Sequence, residues 1–418
     1  MPKPMGHPAA AGIAALALIT MMAAGCGSST GPPGSLDSSF ATGGVVATDY
    51  GLFADFWNVA LQSDGRIVVG GHIKFDFALV RYAPDGKPDA DFGSEGMVTT
   101  DIGGMDDVNA VAIQPDGGIV AVGQITVMAN SPDGADFALA RYTHDGKLDP
   151  SFGSGGIVTT DIGDNDDALA VALQPDGRIV AVGRIGSSRG DDLALVRYNP
   201  DGTLDPTFGS GGIVKTDIGS RDEATSVALQ PDGRIVVAGT ALARYTPDGR
   251  LDPSFGSGGI VKVQGFVYPR ALAFQSDAKI VTGGPTGPTG GDFAVSRYTP
   301  DGELDPSFGI VKIPLVLSLH AVAFEPDGKV IIGGSTGESG SDFALTRYGP
   351  DGKLDASFGT GGTVSTDVGG SDSGMRAIAL QPDGGIVVAG LGRPACRGFV
   401  GLCTSGPTEL FVTRYFGN

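Results

Sequence analysis

Carboxylates gather in short stretches of this chain in a way that suits cation binding. One stretch holds Asp161, Asp164, Asp166 and Asp167, and looser versions hold Asp101, Asp106 and Asp107, then Asp217, Asp222 and Glu223, then Asp367 and Asp372. Converging carboxylates are hard oxygen ligands, so Asp161, Asp164, Asp166 and Asp167 form a candidate Ca2+ site, although their spacing is not that of an EF-hand loop. The competing reading is of solvated loops that cap short strands. Aromatic residues form a second group: Phe53, Phe56 and the single tryptophan, Trp57, with Phe266 and Tyr268 farther on. Exposed, they would anchor a partner; the competing reading places Phe56 and Trp57 in the core at the start of a strand. Cys396 and Cys403 flank six residues, and in an oxidising compartment such a pair is most simply a disulfide.

Signals for catalysis are poor, and no catalytic residue is identified. Gly186-Ser187-Ser188-Arg189-Gly190 matches G-x-S-x-G but lacks the strand–turn–helix setting of a nucleophile elbow. Beyond the first 25 residues the histidines are His72, His144 and His320, in unlike surroundings, and no P-loop or zinc-type cluster appears. The net charge of −19 argues against nucleic acid and against an anionic membrane surface as partners.

Positioning these residues falls to a repeat. Short apolar runs are cut by Pro-Asp-Gly turns, and 70 glycines accompany few helix formers. The phrase Leu148-Asp149-Pro150-Ser151-Phe152-Gly153 returns in edited form from Leu36, Pro88, Leu204, Leu251, Leu304 and Leu354. Arg-Tyr also occurs seven times, from Arg81, Arg141, Arg197, Arg244, Arg297, Arg347 and Arg414. Each unit offers four strands, A to D, in which A is rich in alanine, C ends in Arg-Tyr, and D follows the phrase. Runs apolar on both faces, with small residues in A, suit stacked sheets arranged radially around an axis.

The expected fold is therefore all-β: a seven-bladed β-propeller of four-stranded antiparallel blades. The repeats begin with a D strand (Leu36 to Asp49) and stop after a C strand (Leu410 to Tyr415), so the N-terminal strand completes the last blade and leaves no free edge. The phrase's aspartate is expected to accept turn amides, its phenylalanine to pack between blades, and the arginine of Arg-Tyr to pair with that aspartate, as in Arg197 with Asp205. The A–B and C–D turns are nearly uniform, whereas the B–C and D–A loops vary in length and composition. Loops on a rigid scaffold carry binding, so the variable face is expected to meet the partner.

Taken together, the phrase, Ala-Leu-Gln-Pro-Asp-Gly-Arg-Ile-Val and Arg-Tyr-x-Pro-Asp-Gly resemble the delta-60 repeat family, bacterial repeats of propeller type, from Leu36 onward. That resemblance implies fold and location but no common catalytic activity. At the other end, Lys3 precedes an apolar stretch, Ala9 to Met22, and then Ala23-Ala24-Gly25-Cys26. This resembles the lipobox of bacterial lipoproteins, which implies a signal peptide over 1–25, a lipidated Cys26 with a flexible tether over 26–35, and the propeller over 36–418. An ordinary signal peptide with a chance cysteine is the alternative. Gly27 in place of aspartate implies release from the inner membrane. The expectation is a monomer in the envelope of a Gram-negative bacterium, anchored in the outer membrane by lipid alone. It would act as a non-catalytic binding or scaffold module for a protein or glycan, with no cofactor beyond Ca2+. The alternative is a metal-dependent hydrolase or lyase of Ca type with carboxylates at the channel mouth.

Overall fold

A computed structural model describes residues 31–51, 53–126, 134–187, 190–219, 221–263, 269–286, 292–313, 318–336, 342–394 and 408–417. These residues form seven four-stranded antiparallel sheets, each ordered A–B–C–D. Blade 1 is Ala54–Leu61, Ile67–Ile73, Asp76–Tyr82 and Met97–Thr100; blade 2 runs from Met105–Ile113 to Ile157–Thr160 and blade 3 from Asn165–Leu173 to Ile213–Thr216. Blades 4, 5 and 6 start at Ala224–Leu229, Ala271–Phe274 and Ser318–Phe324, and blade 7 at Gly370–Leu380. The A strands of successive blades touch one another around the ring, and that of blade 7 touches that of blade 1. They are the innermost strands, and buried alanines such as Ala168, Ala170 and Ala172 let them crowd the axis.

The Pro-Asp-Gly turns set the strand spacing. In the A–B turn of blade 3, Asp176 Oδ1 accepts the Arg178 amide at 3.1 Å, and Gly177 takes φ +85°. Glycine adopts that left-handed conformation without a steric cost. Blade 5 reads Ala278 at the same place and still takes φ 63°.

The repeated phrase clasps each blade to the next. Arg197 Nε donates to Asp205 Oδ2 at 2.9 Å, its guanidinium lies 4.4 Å over the Phe208 ring, and its Nη1 donates to the Pro247 carbonyl in blade 4. The expected pairing of Arg-Tyr with the phrase's aspartate recurs at Arg81–Asp89, Arg141–Asp149, Arg244–Asp252, Arg297–Asp305, Arg347–Asp355 and Arg414–Asp37. Asp205 Oδ1 meanwhile accepts the amide and hydroxyl of Thr207, so the aspartate also holds its own turn. Phe152, Phe208 and Phe255 are buried between blades. The tyrosine reaches the other way: Tyr198 of blade 3 bonds Thr160 of blade 2 at 2.8 Å, and Tyr245 of blade 4 bonds Thr216 of blade 3 at 2.8 Å. Burial pushes the Asp252 carboxyl up, but hydrogen bonds from Ser254 and the charges of Arg244 and Arg234 outweigh it and hold the group at about 2. Its stabilising contribution is full above the ordinary carboxylate range and is lost as pH falls through about 2.

Closure follows the expectation. Val45–Asp49 pairs antiparallel with Glu409–Tyr415 of blade 7, in register from Val45↔Thr413 to Asp49↔Glu409. Arg414 pairs with Asp37 at 3.0 Å, and Phe40 is buried in the joint. Among the described residues no helix is long and apolar enough to cross a membrane.

Candidate functional site

Close to its start, the A strand carries the feature that distinguishes the blades. Its pairing with strand B shifts by one residue in blades 1, 2, 3, 4, 6 and 7, which places Trp57, Asn109, Leu169, Thr225, His320 and Arg376 in β-bulges. Such bulges re-aim a side chain. Strand B accommodates the bulge with a glycine: a Cβ on Gly71, Gly123, Gly183 or Gly239 would lie 1.8–1.9 Å from the carbonyl oxygen of Asp55, Asp107, Asp167 or Glu223. These bulges stand near the start of the innermost strands, at the mouth of the ring that faces the variable loops. Several bulge side chains reach across to the neighbouring blade. Asn109 donates to Asp167 Oδ1 at 2.7 Å, the Thr225 hydroxyl donates to the Pro269 carbonyl at 2.7 Å, and the Arg376 guanidinium stacks 4.8 Å over Trp57.

In blades 1 to 4 an acid stands two residues before the bulge: Asp55, Asp107, Asp167 and Glu223. Cations balance this arc. Arg376 lies 4.0 Å from Asp55, His72 Nδ1 bonds Asp107, Arg184 lies 3.6 Å from Asp167, and Arg270 acts on Glu223. Burial pushes Asp55 up to about 6, with Arg376 and His72 opposing and Asp107 adding to the rise. Burial raises Asp167 to about 6 as well, against the pull of Arg184 and with the push of Asp107 and Glu223. For His72, burial favours the neutral ring, but Asp107 and Asp55 outweigh it and raise the value.

These shifts give the mouth a pH dependence. An ionised Asp55 is penalised in the fold above about 6 but not in the unfolded chain, so its penalty fades as pH falls from about 6 toward the ordinary carboxylate range. Protonated His72 stabilises the fold below its unfolded value, and that gain is lost as pH rises through its raised folded value. Both act in the same direction. The protein is expected to melt at a higher temperature at pH 5.5 than at pH 8, and Asp55→Asn with His72→Gln to flatten the difference. Thermal melts at the two pH values check this.

Beside the arc, aromatic side chains reach solvent. Phe53 is 63 % and Phe75 42 % exposed, with ring centroids 5.6 Å apart, and His72 stacks on Phe75 at 5.9 Å. The B–C turn of blade 1 is the two-residue Lys74-Phe75, with φ 55° and 70°, and Phe53 has φ 64°. Turns of that shape are normally made by Asn-Gly, so three non-glycine residues hold left-handed backbone at one exposed spot. Strain of this kind concentrates at binding sites. Backbone bonds fix the turn on both sides: the Lys74 amide donates to the Phe53 carbonyl at 2.8 Å, and the Asp106 amide to the Phe75 carbonyl at 2.6 Å.

The aromatic residues singled out by sequence divide here. Phe53 is exposed, Trp57 is half-buried under Arg376, and Phe56 is a core residue, 1 % exposed. Phe56 and Trp57 are consecutive on an extended strand, and at the bulge they leave by different faces. The aspartates divide too. Asp161 and Asp166 come together with Asp136, which the loop reading overlooked. Asp164 is exposed, with its amide bonded to the Gly186 carbonyl, and Asp167 turns to Asn109 at the mouth. Phe266, Tyr268, Cys26, Cys396 and Cys403 lie outside the described residues. Ser187 and Gly190 pair across the B–C hairpin of blade 3, which is not the setting of a nucleophile elbow. Phe75, His72, Asp55 and Arg376 were not marked as a site, and Asp107 only as one acid of a cation-binding stretch. The signal for the bulges was a position five before each turn glutamine that never settles: Trp57, Asn109, Leu169, Thr225 and Arg376, with Arg270 at the same place in blade 5.

Six segments, 62–92, 114–152, 174–208, 230–255, 275–308 and 325–358, match the family described as a domain of unknown function (DUF5122) β-propeller, one segment in each of the first six blades. No curated protein matches the chain. Among solved structures, a Lactobacillus plantarum protein is 15 % identical over 84 % of this chain and 96 % of its own, with a TM-score of 0.48. Chaetomium thermophilum Sqt1 is 14 % identical over 89 % of this chain and 100 % of its own, at 0.47. Polysaccharide lyase Uly1 is 11 % identical over 86 % and 90 %, at 0.45. Sheet topology, ring closure and the six matched repeats together make this chain a β-propeller repeat protein.

Proposed function

We propose that the protein is a non-catalytic binding module of the cell envelope, built of delta-60-type repeats, and that its variable face docks a protein partner. The anchor would be a lipidated Cys26, and a Cys396–Cys403 disulfide would stiffen the long B–C loop of blade 7. The observation that carries the reading is the strained, solvent-facing pair Phe53 and Phe75. Apolar rings held against solvent at a backbone cost suit a hot spot, and the charged arc of Asp55, His72, Asp107 and Arg376 beside them suits its polar rim.

A second reading, a hydrolase or lyase acting at the channel mouth, is favoured by Asp55, raised to about 6 near the His72–Asp107 pair. Against it, the mouth carboxylates already have Arg376, His72 and Arg184 as counter-charges. The test compares what the wild-type chain and Phe53→Ser/Phe75→Ser retain from a solubilised envelope fraction. Two lost anchors of about 2 kcal/mol each predict at least about 100-fold weaker binding of the retained protein. Equal retention by both forms contradicts the reading. Loss of binding to a glycan array in the same variant assigns the face to a glycan instead.

A further inference from the structure

Among the described residues, three sites at the D–A crossovers share one construction. Asp76, Asp101 and Asp106 bring carboxylate oxygens within 4.8 Å of one another between blades 1 and 2. Asp136, Asp161 and Asp166 do so between blades 2 and 3, and Asp192, Asp217 and Asp222 between blades 3 and 4. Each triad takes its first residue from strand C of one blade, its second from just after strand D of that blade, and its third from the start of the next blade or the crossover leading into it. Sequence separation hides the grouping, because the first residue lies 25 positions before the second in every case.

The inner aspartate of each triad points to a ligand. Asp106, Asp166 and Asp222 are at most 1 % exposed. Oδ2 of each is taken by crossover amides: Ile102 at 2.6 Å; Ile162 and Gly163 at 2.6 and 2.8 Å; Ile218 and Gly219 at 2.6 and 2.8 Å. Oδ1 of all three is buried and has no hydrogen-bond partner, which leaves it as the oxygen for the cluster. None of the three forms an ion pair with lysine or arginine among the described residues, in contrast to Asp55, Asp167 and the aspartates of the repeated clasp. A buried carboxylate oxygen without a partner is costly, and here the same cost recurs at three junctions. Two further acids stand beside each such aspartate, and one of them, Asp101, Asp161 or Asp217, is exposed and leaves a way in.

We propose that these three triads are calcium sites, each clamping one blade to the next. Three carboxylates with one side open to water match a hard cation of flexible coordination, which takes six to eight oxygens. Magnesium demands a smaller octahedral shell and keeps its waters. The chain carries its own contrast: at the 4/5 and 5/6 crossovers the position of Asp217 is Gln264 and Pro314.

Calorimetric titration of the EDTA-treated full chain with CaCl2 tests the proposal. The expected result is at least about three ions per chain with a Kd of roughly 0.1–1 mM, as in extracellular calcium modules. A rise in Tm with Ca2+ that equal Mg2+ does not match is expected alongside. Asp166→Asn keeps an oxygen for the crossover amides while removing the charge, and should bind about one ion fewer than wild type. Asp161→Asn, at the exposed corner, gives the same readout if the buried variant does not fold. No binding at about 10 mM Ca2+, an equal response to Mg2+, or undiminished stoichiometry in an Asp101→Asn/Asp161→Asn/Asp217→Asn variant overturns it.

Discussion

Replacing Arg347 by methionine is expected to destabilise the propeller by about 3–5 kcal/mol, the range for removing one partner of a buried ion pair. Arg347 is 2 % exposed. Its Nε donates to Asp355 at 2.8 Å, Nη1 lies 3.5 Å from Glu325 and donates to the Gly417 carbonyl of blade 7, and the guanidinium lies 4.6 Å over Phe358. Methionine fills much of the same volume but leaves two half-buried carboxylates facing apolar surroundings, so charge and not packing dominates the cost. Arg347→Lys should fall between, because an ammonium offers no planar fork for the carboxylate and carbonyl together. Adding Asp355→Asn to Arg347→Met should recover part of the loss. Equilibrium denaturation of the four proteins checks the order, and an Arg347→Met protein as stable as wild type would refute the clasp.

Deleting residues 36–49 is expected to do more damage still. It removes the whole D strand of blade 7, the Asp37 partner of Arg414, and buried Phe40. The C strand Glu409–Tyr415 would then present an unpaired edge, a template for association with other chains. The truncated protein is expected to elute as aggregate and to lose its cooperative melt, and a peptide spanning 36–50 added in trans should restore part of both. Size-exclusion chromatography with circular dichroism decides the matter: a monomer that melts like wild type would show that closure contributes little.

The parts legible in the sequence were those that local chemistry writes into every blade. Pro-Asp-Gly reports its turn because only glycine enters the left-handed region freely, as at Gly177. Arg-Tyr and the phrase report one contact seven times, so Arg197 with Asp205 could be foreseen. The spare D strand at one end and the missing one at the other gave closure by counting. The mouth was harder because a bulge overrides alternation: one shifted residue buries Phe56 and turns Trp57 toward Arg376. The aspartates were misgrouped for a related reason. Asp166 and Asp167 are neighbours in sequence, yet on an extended strand they face opposite ways, and the acid that joins Asp161 and Asp166, Asp136, arrives from another strand. Phe75 escaped notice because nothing in Lys74-Phe75 reads as a turn; the structure imposes φ 55° and 70° on residues that do not favour it.

On the proposed reading, the repeated face holds the ring together and the individual face meets the partner. Photo-crosslinking in cells tests it directly, with the reactive side chain placed at position 75 in one strain and at position 201, on the exposed C–D turn of blade 3, in another. A discrete protein adduct at position 75 and none at position 201 is the predicted result; an adduct at position 201 with none at position 75 would contradict it.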